Sequence, residues 1–88
     1  MNLKIITPVR LLVDRQVESV SLPGLEGELG IYPGHAPFFI SLAKGDVKYR
    51  IGGSEESVAV NGGYAQVLPD GVVIIAEGPG DVESRSSS

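Results

Sequence analysis

Short segments of alternating apolar and polar residues, each closed off by glycine or proline, commit this chain to β-structure. Over residues 46–51, Val47, Tyr49 and Ile51 interleave with Asp46, Lys48 and Arg50. A period of two sends those two sets to opposite faces of a sheet. Phe38, Ile40 and Leu42 alternate in the same way with Phe39, Ser41 and Ala43. Val9, Leu11 and Val13 do so with Arg10, Leu12 and Asp14, although Leu12 would also need cover. Glu18, Val20 and Leu22 share a parity that Val17 breaks, a slip that a β-bulge would absorb. Residues 72–76 are apolar on both parities, which predicts a strand covered on two sides. No window places apolar residues at the i, i+3, i+4 and i+7 positions of an amphipathic helix.

The chain's 12 glycines and 6 prolines fall between these segments at intervals. Gly52-Gly53-Ser54 can supply positive φ for a tight hairpin between the strand ending at Ile51 and the one carrying Val58 and Val60. Asn61-Gly62-Gly63 predicts a corner, and Pro69-Asp70-Gly71 a turn. About eight or nine short strands with such punctuation predict an all-β fold, an antiparallel β-sandwich or barrel without significant helix. At 88 residues it makes one domain, expected over residues 1–83, with a core but no deep walled site. Residues 84–88, Ser-Arg-Ser-Ser-Ser, carry nothing apolar and are expected to be a disordered tail.

Charge and residue inventory narrow the function. A net charge of −4 argues against nucleic acid and against direct docking on anionic lipid. With no cysteine, disulfides, thiolate nucleophiles and Cys-based zinc sites are excluded. The single histidine, His35, leaves little for a metal centre. No apolar run approaches the ~20 residues of a membrane helix, and no secretory signal is expected. Gly24, Gly27 and Gly30 match neither a dinucleotide fingerprint nor a phosphate loop. Glu26 and Glu28 form a carboxylate pair for which the sequence shows no apolar pocket to raise a pKa. Neither catalysis nor a bound cofactor or metal is expected.

Residues 24–37, Gly-Leu-Glu-Gly-Glu-Leu-Gly-Ile-Tyr-Pro-Gly-His-Ala-Pro, are not explained by the fold class. Read as a single connection, the segment is long for a compact β domain, and long connections tend to be functional. Tyr32-Pro33-Gly34-His35 has proline and glycine at the centre of a type II turn, and Pro37 pushes Ala36 toward extended geometry. Such a stiff loop, with Leu25, Leu29, Ile31 and Tyr32 beside Glu26 and Glu28, suits a docking surface because little ordering entropy is lost on binding. Equally, Leu29 and Ile31 could simply cap one end of the core.

Residues 26–37, Glu-Gly-Glu-Leu-Gly-Ile-Tyr-Pro-Gly-His-Ala-Pro, resemble the signature segment of the epsilon subunit of F-type ATP synthases. The strand context agrees over about residues 2–80: an N-terminal strand, residues 17–22 leading into the signature, corners at Lys44-Gly45 and Gly62-Gly63, and the β-branched run ending at Ile75. The resemblance implies a β-sandwich of two roughly five-stranded sheets. It implies a non-catalytic rotor subunit in the central stalk, joining the gamma shaft to the c-ring and coupling proton or sodium flow to ATP synthesis. It further implies the cytoplasmic face of a bacterial inner membrane, with membrane association only through the complex. Carried over by position, Glu26, Gly27, Glu28, Leu29 and Gly30 fall on the c-ring side, with Glu28 facing the ring loops. Tyr32, Pro33, Gly34 and His35 fall on the gamma side, with His35 approaching the shaft.

Family members mostly continue into a helical hairpin that can inhibit hydrolysis and in some binds ATP. Gly78-Pro79-Gly80 breaks structure instead of opening a helix, so neither property is expected of this chain. The alternative is a free-standing β-sandwich module that binds another protein or carries a cofactor. Lys44-Gly45-Asp46 lacks the surroundings of a modifiable carrier lysine.

Overall fold

The computed structural model describes residues 1–77. The expected domain limit at residue 83, the breaker at 78–80 and the tail at 84–88 lie outside the described residues. Seven strands form: β1 (Asn2–Ile6), β2 (Leu11–Gln16), β3 (Ser19–Gly24), β4 (Gly27–Ile31), β5 (Phe38–Ile51), β6 (Ser54–Leu68) and β7 (Gly71–Ala76). The all-β class is as the alternation predicts, and no helix occurs among the described residues. Hydrogen bonding joins the strands in one order, β2-β1-β7-β6-β5-β3-β4, with no break into two five-stranded sheets in the pairing. One pair departs from the antiparallel expectation: β1 and β7 run parallel, with Leu3 opposite Val72 and Ile5 opposite Ile74.

The strand count is lower than expected because two corners do not end their strands. β5 and β6 are 14 and 15 residues long and pair from Phe38↔Val67 to Ile51↔Ser54 in a single register. Their tip is the two-residue turn Gly52-Gly53, with φ of 56° and 85°, the positive values of a type I′ hairpin. Along β5 the buried parity changes from Leu42 to Val47 and Tyr49, and along β6 from Val60 to Ala65 and Val67. Lys44-Gly45 and Gly62-Gly63 thus mark where a continuous ribbon exchanges the face it turns to the core.

The core gathers Leu3 and Ile5 of β1, Val20 and Leu22 of β3, Ile31 of β4, Val47 and Tyr49 of β5, Val67 of β6, and Val72 and Ile74 of β7. Two strand expectations are revised. The slip in β2 leaves Leu12 unopposed between Val13↔Ile5 and Leu11↔Ile6, so Leu11 is exposed and only Val13 of its expected set is buried. Val9 sits exposed in the β1–β2 turn, which the Thr7 hydroxyl organises by accepting from the Val9 and Arg10 amides and donating to the Arg10 carbonyl. Val17 makes no bulge. It lies buried in the β2–β3 link, its amide donating to the Met1 carbonyl at 2.8 Å. The irregularity of β3 falls instead between Ser21 and Gly24, around Pro23, which has no N–H to give the ladder.

Tyr49 is 5% exposed and lies opposite Glu56. Burial first, then the Glu56 charge, raises its phenol above the ordinary 10.0, while the Arg15 guanidinium, 3.8 Å from Glu56, pulls the other way. Raising the folded-state value favours the neutral phenol. Its stabilisation is fully present below the unfolded value and is lost as pH rises through the folded one. Thermal melts between roughly pH 9 and 12 should therefore show the parent losing stability faster than Tyr49→Phe. Parallel curves would show that the phenol's surroundings do not matter to folding.

Candidate partner-docking surface

The fourteen-residue segment is not one loop. Gly24 pairs with Gly27 across the two-residue turn Leu25-Glu26, so residues 19–31 form the β3–β4 hairpin. Only residues 32–37 remain irregular. Alternation then sorts the side chains. Ile31 is fully buried and Leu29 packs half-buried on the core, so both do serve as caps. Glu26, Gly27, Glu28 and Gly30 are exposed. At Gly30, an added Cβ would lie 3.5 Å from the Tyr32 ring, which therefore rests over the glycine.

Two shallow clefts meet at Glu28. The first, about 460 Å³, is lined by Leu25, Glu26, Leu29, Phe39 and Ile40 as well as Glu28. The fold thus supplies from β5 the apolar lining that the sequence did not show for these carboxylates. The second, about 400 Å³, is lined by Ser21, Gly30, Tyr32, Lys48 and Arg50 beside Glu28. Ser21 Oγ donates to Glu28 Oε2 at 2.6 Å and fixes the carboxylate on the ridge between them. Arg50 is held at the far end by Glu55, 3.6 Å away.

The expected site residues therefore divide. Glu26 to Gly30 and Tyr32 line the clefts, whereas Pro33, Gly34 and His35 line neither. Gly34 has φ 86°, as the type II turn requires, and its amide donates to the Pro69 carbonyl at 2.9 Å, tying this loop to the β6–β7 turn. The His35 ring lies 5.1 Å from that of Phe38. Its Nδ1 is 3.1 Å from the Ala36 carbonyl oxygen, which can only accept, so the contact puts the proton on Nδ1.

Sequence reading missed an apolar row on the outer face, exposed at Leu11, Ile75 and Tyr64 and half-buried at Ile6. Leu11, Ile6, Ile75 and Tyr64 follow one another across β2, β1, β7 and β6, and Phe39 meets Tyr64 edge-on at 5.3 Å. The signal was present in the apolar residues at outward parity, such as Phe39 and Ile75. Among the described residues no three His, Asp or Glu side chains gather as a metal site. What the surface offers is one fixed carboxylate beside an apolar recess.

A family model described as the ATP synthase delta/epsilon chain β-sandwich domain matches residues 1–79. The chain belongs to the ATP synthase delta/epsilon family. The ATP synthase epsilon chain of Syntrophobacter fumaroxidans is 46% identical over 76 residues, covering 86% of this chain and 57% of that relative. The epsilon chain of Nitratidesulfovibrio vulgaris is 42% identical over 77 residues, covering 88% and 58%. The chain thus spans well under two thirds of the length of either relative. Among solved structures, a chain of the Euglena gracilis mitochondrial ATP synthase, determined with OSCP, F1 and c-ring in rotational state 1, matches with a TM-score of 0.78. That chain is 26% identical, with 84% of this chain and 48% of that one covered. A chain from the Tetrahymena thermophila mitochondrial ATP synthase central stalk and c-ring, 15% identical with a TM-score of 0.73, shares the fold. In this delta/epsilon domain residues 26–37 lie on a hairpin edge and a pinned loop, not on a free connection.

Proposed function

We propose that this chain is a non-catalytic rotor subunit of a bacterial F-type ATP synthase, joining the gamma shaft to the c-ring so that proton or sodium flow is coupled to ATP synthesis. It would work at the cytoplasmic face of the inner membrane, held there through the complex. The observation that carries the reading is the Glu28 carboxylate, held between two clefts on a hairpin that lies within the stretch matched by the delta/epsilon family model. Glu26 to Gly30 form the c-ring side, and Tyr32 to His35 the gamma side. The likeness to a chain of an ATP synthase assembly determined with F1 and c-ring is consistent with partners of this kind. The task is mechanical, and a close-packed sheet core suits it because stiff interiors pass on load with little deformation.

Glu28→Lys tests the assignment. The side chain is exposed, so the isolated domain should keep its melting temperature. Affinity for a gamma–c-ring subcomplex should fall by about tenfold or more, since a complementary charge is replaced by an opposing one. Unchanged affinity and unchanged proton-driven ATP synthesis would remove Glu28 from the interface.

A further inference from the structure

We propose that Ser21, outside the signature segment, is a positioning residue that holds Glu28 ready for its partner. The inference rests on the docking role proposed for Glu28. Ser21 lies on β3 directly opposite Gly30 of β4, and Pro23 lies opposite Glu28. Glu28 is therefore the diagonal neighbour of Ser21 on the same outward face, within reach of a long side chain. Pro23 offers no donor, so the carboxylate leans toward Ser21, whose Oγ is 2.6 Å from Oε2. That separation is in the range of a charge-assisted O–H···O⁻ bond, the stronger kind of hydrogen bond.

Gly30 makes the arrangement possible. It presents no side chain toward Ser21, and the Tyr32 ring closes over it from the other side. Lys48, opposite Ser21 on β5, forms no ion pair with Glu28 among the described residues. One carboxylate oxygen is thus engaged and Oε1 is left for a partner's donor. Fixing the side chain before docking removes ordering entropy that would otherwise be lost on binding. Ser21 acts through Glu28, not on the partner, and this yields a coupling that can be measured.

The experiment is a double-mutant cycle on the full chain, titrated onto the gamma–c-ring subcomplex of a bacterial ATP synthase freed of its epsilon chain. Glu28→Gln should weaken binding, and Ser21→Ala should weaken it by about fivefold, the usual cost of ordering one long side chain on docking. In the Glu28→Gln background Ser21→Ala should add less than about twofold, and Ser21→Thr, which keeps the hydroxyl, should restore parent affinity. Melting temperatures of the isolated variants separate this from a folding defect. Should Ser21→Ala not fold, Ser21→Cys, a weak donor of similar size, takes its place. If Glu28→Gln binds like the parent, the docking role of Glu28 and the inference fall together. If Glu28→Gln weakens binding while Ser21→Ala has no effect, or a full additive one, the docking role stands and the positioning role is overturned.

Discussion

Gly63→Ala is expected to unfold the domain or to remove most of its stability, although it adds a single methyl group. Gly63 has φ +120°, which an L-residue adopts only under strain. The added Cβ would lie 2.1 Å from the Ile75 carbonyl oxygen, 2.9 Å from the Ala76 Cα and 3.1 Å from the Glu77 amide nitrogen. All three obstacles are backbone, so no side-chain rotation relieves them. β6 and β7 would have to part where Gly63 pairs with Ala76, the last rung of that ladder. Strain of about 1–3 kcal/mol and backbone displacement of about 1–3 kcal/mol give a loss near 4 kcal/mol, against roughly 5–15 kcal/mol for a whole native domain. Gly53→Ala is the control. Gly53 also has positive φ, at 85°, but nothing stands within 4 Å of its Cβ, so only the strain of about 1–2 kcal/mol applies. Urea unfolding followed by circular dichroism compares the two. Equal midpoints for both variants would mean that the β6–β7 contact does not hold this corner.

The same corner shows what a linear sequence can and cannot convey. Asn61-Gly62-Gly63 reads correctly as a place where ordinary backbone fails, because glycine is the residue that tolerates positive φ. That β6 continues through it was not legible, since the fact depends on β5 keeping one register along its whole length. Parity at Phe38, Ile40 and Leu42 and at Val47, Tyr49 and Ile51 was legible. It appeared as two strands because a face exchange and a strand end look alike in sequence. Val17 misled for another reason: its amide pairs with the carbonyl of Met1, just before β1 and sixteen residues away, and no local period encodes that. At the proposed docking surface, the stiffness of Tyr32-Pro33-Gly34 and the exposure of Glu28 followed from residue type. Ser21 did not, being seven residues from Glu28 and brought to it by the β3–β4 hairpin. Nor did Phe39 and Ile40, which reach Glu28 only across the sheet.

Ile74 and Ile75 are neighbours of identical chemistry, and their alanine variants should differ more than any other adjacent pair in β7. Residues 72–76 are apolar on both parities and suggested cover on two sides, yet Ile74 is 0% exposed and Ile75 is 46% exposed. Cover exists on one face. Ile74 sits opposite Ile5 of β1 and Ala65 of β6, both fully buried, so truncation leaves a void that flanking strands cannot collapse into. Ile74→Ala should cost about 3–4 kcal/mol, the usual range for an aliphatic core truncation with incomplete relaxation. Ile75 belongs to the outward row with Ile6 and Tyr64, where water already reaches half the side chain. Ile75→Ala should cost under about 1 kcal/mol in the isolated chain. Equal losses would mean that the outer face is covered within the domain itself. A large loss at 74 alone would leave the row Leu11–Ile6–Ile75–Tyr64 as an apolar surface that folding does not use. Four large apolar side chains in register make a contiguous patch there, unlike singly scattered surface residues.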